Sequence, residues 1–390
     1  MTNIKTSFIS NLIPSTSYGL SLFWALHNND KQVVAYSEKD IDSEMLSYFE
    51  GSAIIPTWQK SHKYFLQIIN QLKKDRPKVV HIQHELNIYG STITSLMFPF
   101  LLFVIKKILK IKLVVTVHAL PSIKQINKEF IHNFKNNSKI SASALKIFFF
   151  WYYKSVHFLS DKIIVHTNLI KDIYTKDYFC NQNKIYEIPI GCHDLTDYSY
   201  TFKPYFFYMG YLVSRKGLDI VLDGFYDFIK NNPQSNFTLK IAGSAIKGQE
   251  FARNQILEII NYYPPNIKSK IEILGFINQD QVDNYYKNAY AVVIPSKLSI
   301  AGSGPLSWAF SYGKCIIASN NGNLKQEIAD QEDGLLVDND FKSWSNAFSK
   351  ITSDFSLVKK LQAGSINKAK QRNWDLIAKK HLEIYKQLIG

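Results

Sequence analysis

The stretch IPSKLSIAGSGPLSWAFSYGKCIIASNNGNLKQEIADQEDGLLV, residues 294 to 337, decides the fold class of this 390-residue chain. It completes a short apolar strand at 291–294 and continues through a glycine-containing loop at 302–305. An apolar helix is predicted over 306–312 and a second apolar strand over 315–318. A buried strand, a glycine loop and a helix N-terminus form the arrangement with which α/β proteins bind phosphate, because free N–H groups and the helix dipole face the anion. An ordinary βαβ unit with loop glycines fits the stretch equally well.

The rest of the chain alternates short β-rich runs with longer helical ones. The predicted strands are 5–10, 32–37, 78–84, 112–117, 162–166 and 184–188 in the first half, and 205–209, 237–242, 270–274, 291–294 and 315–318 in the second. The predicted helices include 20–28, 58–74, 91–110, 143–159, 168–175 and 218–229. This alternation predicts an α/β protein with mainly parallel sheets and helices on both faces. Ligands bind at the carboxyl ends of such strands, so residues that follow strands are the functional candidates.

Length and composition indicate a globular protein of two domains. A chain of 390 residues is too long for one hydrophobic core, and 46% of its residues are apolar while 20% are charged. Three scattered cysteines (Cys180, Cys192 and Cys315) suit neither a disulfide framework nor a metal cluster and favour a reducing compartment. No long apolar signal core or run of roughly 20 apolar residues is present. We therefore expect a cytoplasmic protein, either soluble or peripheral on the inner face of the cell membrane.

The net charge of +14 is concentrated in one part of the chain. Residues 51–150 carry 15 Lys or Arg against three acids, a local net charge of +12. The segments 97–112 and 143–159 combine lysines with large apolar side chains, which is typical of a protein that binds an anionic membrane surface. Buried crossover helices with solvated lysine ends explain the apolar halves equally well. A nucleic-acid partner is not expected, because the chain has no helix-turn-helix, zinc-finger or RNP-like signature.

Polar residues end three of the predicted strands in the first half. His84 and Glu85 end one strand, His118 ends the next, and His166 ends a third. We expect His84 and His118 to face the same crevice, although a strand-end histidine that is hydrogen-bonded locally is the alternative for each. No trio of His, Asp and Glu has metal-ligand spacing, so no metal is expected. No Ser-His-Asp arrangement or nucleophile elbow is present either.

The first strand of the second half ends in the turn GYLVSRKG, residues 210–217. Arg215 and Lys216 lie directly before the predicted helix. Glycine allows a bulky anion to approach the backbone, and cations beside a helix N-terminus suit a diphosphate. A solvated basic turn is the alternative interpretation.

Taken together, these segments resemble the family 4 glycosyltransferases. In the second half the resemblance rests on FFYMGYLVSRKGLDIVLDGF, FTLKIAGS, IEILGFINQDQVDNYYKNAYAVVIPS, SGPLSWAFSYGKCIIAS, EDGLLVDND and NWDLIAKKHLEIYKQL. In the first half it rests more loosely on STSYG, VVHIQHE, LVVTVHAL, DKIIVHTN and KIYEIPIG. The family implies a GT-B fold, in which two Rossmann-like domains face each other across a cleft. We expect an acceptor domain at 1–195, a nucleotide-sugar donor domain at 196–372, and a C-terminal helix at 373–390 that crosses back to pack on the domain junction.

The resemblance also implies roles for residues at matching positions. His118 would reach the transferred sugar, and Lys216, helped by Arg215, would contact the donor diphosphate. The other residues expected at the donor are Gly19, Tyr211, Gly243, Phe276, Ile277, Ser303, Gly304, Pro305 and Leu306. The residues expected on the acceptor side are Ser17, Tyr18, His84 and Glu85. Family members often have arginine where this chain has Tyr211, so that contact is missing or comes from Arg215.

One departure from the family concerns two glutamates spaced eight residues apart. Counting back from Gly313 places them at Ile300 and Trp308, and neither residue is acidic. The carboxylates that would contact the donor sugar and the ribose are therefore absent. Either the donor is held through Ser303, Ser307 and backbone groups, or the chain has lost activity.

The resemblance implies a retaining hexosyltransferase that uses a nucleoside diphosphate sugar without a metal or bound cofactor. The acceptor would be a glycan or a lipid-linked molecule in envelope polysaccharide or glycoconjugate synthesis. The alternative is a catalytically silent GT-B subunit that binds glycan or a partner glycosyltransferase. An epimerase or phosphorylase has no support, because neither a pyridoxal-lysine motif nor the epimerase carboxylates are identifiable.

Overall fold

The computed structural model describes residues 5–12, 18–40, 53–86, 88–134, 140–193, 195, 202–246 and 249–390. The chain divides into two compact units. Unit 1 comprises Met1–Gln125, Ser143–Gly191 and Arg372–Gly390, and unit 2 comprises Ile126–Ala142 and Cys192–Gln371. The sequence places 126–142 in the first domain, whereas the structure groups this segment with unit 2. The reason is that a helix within it, Lys128–Phe134, contacts the turn at Ser214–Lys216.

Unit 1 is built on a parallel sheet whose described strands follow the order β3-β2-β1-β4-β5-β6-β7. The strands are β1 Thr6–Ile9, β2 Val33–Glu38, β3 Ile54–Trp58, β4 Val79–His84, β5 Lys112–Val117, β6 Lys162–Val165 and β7 Ile185–Glu187. The helices of this unit are α1 Tyr18–Asn29, α2 Tyr64–Asp75, α3 Thr92–Leu96, α4 Phe98–Phe103, α6 Ala142–Leu159, α7 Asn168–Lys176 and α16 Trp374–Ile389. Helix α5, Lys128–Phe134, belongs to unit 2.

The core of unit 1 explains the position of the C-terminal helix. One face of the sheet, which includes Phe8, Val79 and Ile164, packs against apolar residues of α1 and α16. Helix α16 contributes Ile377 and Ile384 to this layer, and both are fully or almost fully buried. The predicted return of the C-terminal helix to the N-terminal unit is therefore confirmed.

Unit 2 repeats the same architecture with a parallel sheet in the order β10-β9-β8-β11-β12-β13. Its strands are β8 Lys203–Met209, β9 Thr238–Ala242, β10 Ile271–Gly275, β11 Ala289–Ile294, β12 Cys315–Ser319 and β13 Leu335–Val337. Its helices after α5 are α8 Leu218–Asn231, α9 Glu250–Tyr262, α10 Pro265–Lys268, α11 Gln279–Asn288, α12 Gly304–Ser311, α13 Gly322–Glu327, α14 Phe341–Ser353 and α15 Phe355–Gln371. Apolar clusters cover both faces of this sheet, which is why its strands read as continuous apolar runs.

The stretch that decides the fold class forms the elements predicted for it. Strand β11, helix α12 and strand β12 follow one another, and the first and last of these strands pair in parallel. Gly313 has φ +57°, the left-handed conformation that ends a helix, as its position predicts. Only a short connection follows β12, because α13 begins at Gly322.

Three predicted helices in unit 1 have different limits. The segment Ile54–Trp58 is a strand, so the helix predicted from residue 58 begins only at Tyr64. Helix α1 begins at Tyr18, so Tyr18 and Gly19 lie in its first turn and not in a loop. The helix predicted over 91–110 is α3, α4 with Pro99 in its first turn, and a π-helical turn at Val104–Ile108. Among the helices that the structure describes, none combines the length and the apolarity needed to cross a bilayer.

Candidate functional site

The carboxyl ends of β8 and β9 approach each other at two glycines of unit 2. Gly243 has φ +147°, and a Cβ placed on it would lie 1.8 Å from the carbonyl oxygen of Gly210. The Gly210 N–H donates to the Ala242 carbonyl at 3.0 Å, and the Leu212 N–H donates to the Ser244 carbonyl at 3.0 Å. The two chains therefore run backbone against backbone at the edge where ligands of parallel sheets bind.

The basic turn that follows β8 is held against the end of β11. Ser214–Lys216 forms a single 3₁₀ turn, and Gly217, at φ +69°, starts helix α8. The backbone N–H of Lys297 donates to the Arg215 carbonyl at 2.8 Å. The Lys297 ammonium in turn contacts Asp219 in the first turn of α8 at 2.5 Å. The structure thus brings Arg215 and Lys216 to the start of a helix, as the sequence predicts.

The loop after β11 leads into the N-terminus of helix α12. Ser303 caps this helix by accepting the Leu306 N–H at 3.3 Å. Pro305 has no N–H, and its carbonyl accepts a hydrogen bond from the Tyr286 hydroxyl at 3.2 Å. Gly304 is exposed, and a Cβ built on it would meet no atom within 4 Å. Among Gly304, Pro305 and Leu306, the Gly304 N–H is therefore the donor best placed to meet a ligand.

A second layer of polar contacts fixes the same edge of the sheet. The Ser296 carbonyl accepts from the side-chain amides of Asn321 at 2.5 Å and Asn339 at 2.8 Å. Gly322 has φ +47°, and a Cβ on it would lie 2.4 Å from the Ser299 carbonyl oxygen. These contacts tie the loop that precedes α12 to the start of α13. The loop is consequently held in place before any ligand binds.

An aromatic stack occupies the position where the family resemblance leads one to expect a carboxylate. Trp308 is buried on α12, and its ring stacks on His193 with centroids 4.7 Å apart and on Tyr312 at 6.0 Å. Burial lowers the pKa of His193, while the charge of Asp283 opposes this shift. Burial among these rings thus favours the neutral form of the imidazole that faces Trp308. Ile300, at the other expected carboxylate position, is half-buried.

Two large aromatic side chains lie exposed after the ends of β10 and β8, the two strands that flank β9 in the sheet of unit 2. Phe276 follows β10 and is 81% exposed, whereas the adjacent Ile277 is buried. Tyr211 follows β8 and is 55% exposed. Both rings are free of the hydrophobic core, so they offer flat apolar surfaces at the ligand-binding edge.

In unit 1, the strand register collects polar residues on one face of the sheet. Gln83 is paired with Thr116, and Thr116 is paired with Ile164 of β6. Because side chains alternate along a strand, His81, Gln83, Thr116, His118 and His166 share one face. Tyr18 of α1 covers this cluster, with ring centroids 4.8 Å from His118 and 4.9 Å from His166. Gly19 allows α1 to lie close to the end of β1, since a Cβ on it would lie 2.3 Å from the Ser10 hydroxyl oxygen.

The cluster is joined by a continuous series of hydrogen-bond contacts. His166 Nδ1 is 3.0 Å from the Ile188 carbonyl, and His166 Nε2 is 3.0 Å from His118 Nδ1. His118 Nε2 is 2.9 Å from the Gln83 side-chain amide, whose other end is 3.1 Å from His81 Nε2. The His81 ring also contacts the Thr116 hydroxyl and the Tyr385 hydroxyl of α16. Burial lowers the pKa of His166 to about 4 and holds the pKa values of His118 and His81 well below their ordinary range.

His84 is placed differently from the prediction. The expectation that His84 and His118 face one crevice is wrong, because residues 83 and 84 point to opposite faces of the strand. The buried His84 ring stacks on Phe98 with centroids 4.2 Å apart and lies against Tyr152. Neither of its ring nitrogens has a hydrogen-bond partner among the residues that the structure describes, and burial lowers its pKa to about 3.

Two of the residues predicted on the acceptor side remain, Glu85 and Ser17. Glu85 is exposed directly after β4. Ser17 lies outside the described residues, so its acceptor-side role stays a prediction. Within the described part of the chain, no group of three His, Cys, Asp or Glu residues is arranged to hold a metal ion.

Comparison with known families accounts for both units. The model described as Glycosyltransferase Family 4 matches residues 20–194, and the model described as Glycosyl transferases group 1 matches residues 199–372. The two matches follow each other in the order that the sequence segments predict. The chain belongs to the family 4 glycosyltransferases.

Curated relatives of this glycosyltransferase align with part of its length. Glycogen synthase from Thermodesulfovibrio yellowstonii is 28% identical over 192 residues, which is 48% of this chain and 36% of that protein. D-inositol 3-phosphate glycosyltransferase from Rhodococcus jostii is 24% identical over 242 residues, which is 58% of this chain and 52% of that protein. The alignments thus span about half or less of these relatives.

Solved structures match the glycosyltransferase over nearly all of its length. Sucrose-phosphate synthase from Thermosynechococcus elongatus aligns with a TM-score of 0.76 at 16% identity, covering 99% of each chain. The Anabaena protein HepE in complex with UDP aligns with a TM-score of 0.72 at 12% identity, covering 98% of this chain and 100% of that one. At such low identities the likeness concerns the fold, and it confirms the predicted GT-B architecture of two Rossmann-like units.

Sequence reasoning missed most of the histidine cluster of this glycosyltransferase. Gln83 and His81 lie inside the predicted strand 78–84, and Tyr385 lies 304 residues away from His81. The alternation of VVHIQH places His81 and Gln83 on one face and His84 on the other, so this signal was present in the sequence. The contact with Tyr385 had no local signal.

Proposed function

We propose that this glycosyltransferase moves a hexose-type sugar from a nucleoside diphosphate sugar to an acceptor hydroxyl, with retention of the anomeric configuration. The observation that carries the proposal is the construction of the basic turn at Ser214–Lys216. It puts two cations at the start of α8, in the turn that follows the backbone-packed glycine Gly210 along the chain. A diphosphate fits this combination, because cations, helix N-terminal N–H groups and an unobstructed backbone all favour it.

The chemistry assigned to these residues is electrostatic. The bond between the anomeric carbon and the diphosphate oxygen breaks, and the diphosphate leaves with the electron pair. Lys216 and Arg215 stabilise the charge that develops on it, a term that is commonly worth 10²–10³ in rate per preorganised donor, or roughly 3–4 kcal/mol. The acceptor oxygen bonds to the same face of the sugar, and its proton passes to the departing diphosphate. This assignment requires no metal.

The nucleoside is assigned to the aromatic and serine-bearing surfaces of unit 2. Phe276 offers an exposed ring next to Gly275, where φ is +71° and a Cβ would meet nothing within 4 Å. Ser303 keeps its hydroxyl proton for a ligand while its oxygen accepts the Leu306 N–H. These groups are the candidates for holding the base and sugar in place of the missing carboxylates.

The proposed acceptor is a glycan or a lipid-linked molecule at an anionic membrane surface. Support comes from two exposed stripes at helical spacing in unit 1. Phe100, Phe103 and Lys107 lie on α4 and the π-helical turn, while Trp151 and Phe158 lie on α6. We call these five residues the aromatic–lysine face. The Lys107 ammonium lies 5.8 Å from the Phe158 ring centroid, so the two stripes meet.

The surroundings of this face are basic and apolar. Trp151 is 64% exposed and Phe158 is 69% exposed, as expected of side chains that enter the headgroup region and not a protein core. Ile108 connects the face to a cavity of about 800 Å³ in unit 1. The cations that line the cavity are Lys73, Arg76, Lys78, Lys110 and Lys112. Such cations attract anionic lipid headgroups, each contributing about 1 kcal/mol near the surface.

The test is turnover of UDP-, GDP- and ADP-sugars by the purified full chain. We expect release of the nucleoside diphosphate from one of these donors and a loss of at least about 100-fold in Lys216→Ala. Lys230→Ala, at the far end of the same helix α8, is the matched control and should keep the wild-type rate. The chelator EDTA should leave the rate unchanged. Proton NMR of the product should show the anomeric configuration of the donor.

The aromatic stack at Trp308 supports a second candidate, a silent GT-B subunit that binds glycan or a partner enzyme. The stack fills the position of an expected carboxylate with buried rings. Failure of every donor to bind or turn over, together with binding of a glycan, would support the silent subunit and contradict the transferase.

A further inference from the structure

The hydrogen-bond contacts of the histidine cluster in unit 1 restrict where its protons lie. A carbonyl oxygen only accepts, so His166 Nδ1, 3.0 Å from the Ile188 carbonyl, must carry a proton. A neutral imidazole carries a proton on only one of its two ring nitrogens, so His166 Nε2 is then an acceptor. The proton in the 3.0 Å contact between the two rings must therefore come from His118 Nδ1.

The Gln83 amide offers two arrangements at the other side of His118. If its oxygen faces His118 Nε2 at 2.9 Å, that nitrogen needs a second proton, and the His118–His166 pair becomes cationic. If the amide makes a half-turn, its NH₂ donates to His118 Nε2 and its oxygen accepts from His81 Nε2, so every ring is neutral.

The surroundings favour the neutral arrangement. Gln83, His81 and His166 are at most 1% exposed, and among the described residues the titratable groups whose charge would act on His118 are two further histidines, His166 and His84. An imidazolium that is buried among other histidines lacks the opposite charge that would compensate for its lost hydration. Burial lowers the pKa of His166 to about 4, which agrees with a neutral ring at physiological pH.

We infer that His166 and Gln83 are positioning residues that hold His118 neutral, with its proton on Nδ1 and an acceptor lone pair on Nε2. His118 is the half-buried histidine of the series, so it is the ring that a ligand can reach. Tyr18 packs edge-on against both His118 and His166, which fixes the planes of the two rings.

The consequence for the reaction rests on the proposed function. A neutral His118 whose Nε2 accepts is matched to a sugar hydroxyl that donates, and Gln83 gives up its contact when that hydroxyl arrives. His118 is then neither a general acid nor a cation in the free protein. The side chain of His166, which the ligand does not touch, sets this property from the adjacent strand.

The decisive measurement is a long-range proton–nitrogen correlation spectrum of the full chain labelled with ¹⁵N-histidine, with His118 assigned by the His118→Gln variant. We expect the Nδ1–H tautomer for His118 at neutral pH. His166→Leu removes the acceptor, so His118 should convert to the Nε2–H tautomer, whereas His166→Gln keeps an acceptor oxygen and should preserve Nδ1–H. The wild-type spectrum alone is decisive if His166→Leu does not fold. An Nε2–H tautomer or a doubly protonated His118 in the wild type would overturn the inference.

Kinetics separate positioning from a merely structural role. His166→Leu should lower kcat/KM for the donor by about 10- to 100-fold, because a hydrogen bond worth roughly 1–3 kcal/mol is misplaced. His166→Gln should stay within about threefold of the wild type, and the exposed His62→Leu should be unchanged. An unchanged kcat/KM in a folded His166→Leu would refute the positioning role. Absence of turnover in the wild type would refute the proposed function and leave the tautomer assignment to the spectrum.

Discussion

Gly243 and Gly304 lie at the same edge of the sheet in unit 2 but differ in the space around them. A Cβ on Gly243 would lie 1.8 Å from the Gly210 carbonyl oxygen, at a φ of +147°. A Cβ on Gly304 would meet no atom within 4 Å. We therefore expect Gly243→Ala to lower the free energy of unfolding by more than about 2 kcal/mol. Gly304→Ala, the matched control, should change it by less than about 0.5 kcal/mol in urea denaturation. Equal stabilities of the two variants would contradict this account of the edge.

The burial of single histidines makes the free energy of unfolding depend on pH. Burial lowers the pKa to about 4 for His166 and His381 and to about 3 for His84. The unfolded chain, with an ordinary histidine pKa near 6.5, then binds more protons than the folded one between about pH 6.5 and 4. The free energy of unfolding should fall as pH drops through this window, by up to about 1.4 kcal/mol per pH unit for each histidine. Denaturation in urea at several pH values measures it, and a flat profile would contradict the neutral burial of these rings.

The residues that could be predicted from the sequence are those whose role depends on local spacing. Arg215 and Lys216 follow a strand and precede a helix, and the structure places them there. His118 is different, because its contacts come from neighbouring strands and are set by their register. A one-residue shift reverses the face, which is why His84 was wrongly grouped with His118.

At the scale of elements, the apolar runs of parallel strands were the most predictable feature. Strands buried on both faces give largely apolar segments, so β5, β11 and β12 were predicted within one or two residues of their limits. Strand β3 was missed, because Ile54–Trp58 contains Pro56 and lies at the edge of the sheet, where proline is tolerated. The break at Met97 between α3 and α4 was also missed, since the apolar pattern continues through it.

The aromatic–lysine face makes a prediction at the same scale. The double variant Trp151→Ser/Phe158→Ser should reduce binding to vesicles of phosphatidylcholine and phosphatidylglycerol by roughly tenfold or more in co-sedimentation, because two exposed rings no longer enter the headgroups. Wild-type binding should also fall when phosphatidylglycerol is omitted.

A matched control for this face exists in unit 2. The Lys359 ammonium lies 4.8 Å from the ring of Phe355, an exposed pair on α15 that resembles Lys107 and Phe158. Phe355→Ser should leave vesicle binding unchanged. Equal losses in both variants, or no loss in the double variant, would contradict the assignment of the membrane surface to α4 and α6.

At the scale of the whole molecule, the chain is two units of the same architecture with different surfaces. Unit 1 carries the histidine cluster and the aromatic–lysine face, and unit 2 carries the basic turn and the capped helix α12. The fold could be predicted because the order of the segments is a global property that many residues share. The chemistry in place of the two missing glutamates could not be predicted, since the stack of Trp308 on His193 joins residues far apart in sequence.

The central claim is that unit 2 binds a nucleoside diphosphate at the turn containing Arg215 and Lys216. Isothermal titration of the full chain with UDP, GDP and ADP tests it most directly, because it needs neither the acceptor nor turnover. We predict that at least one of the three binds and that Lys216→Ala weakens this binding by about tenfold or more, while Lys230→Ala does not. Absence of binding by all three, or equal affinities in the wild type and Lys216→Ala, would contradict the claim.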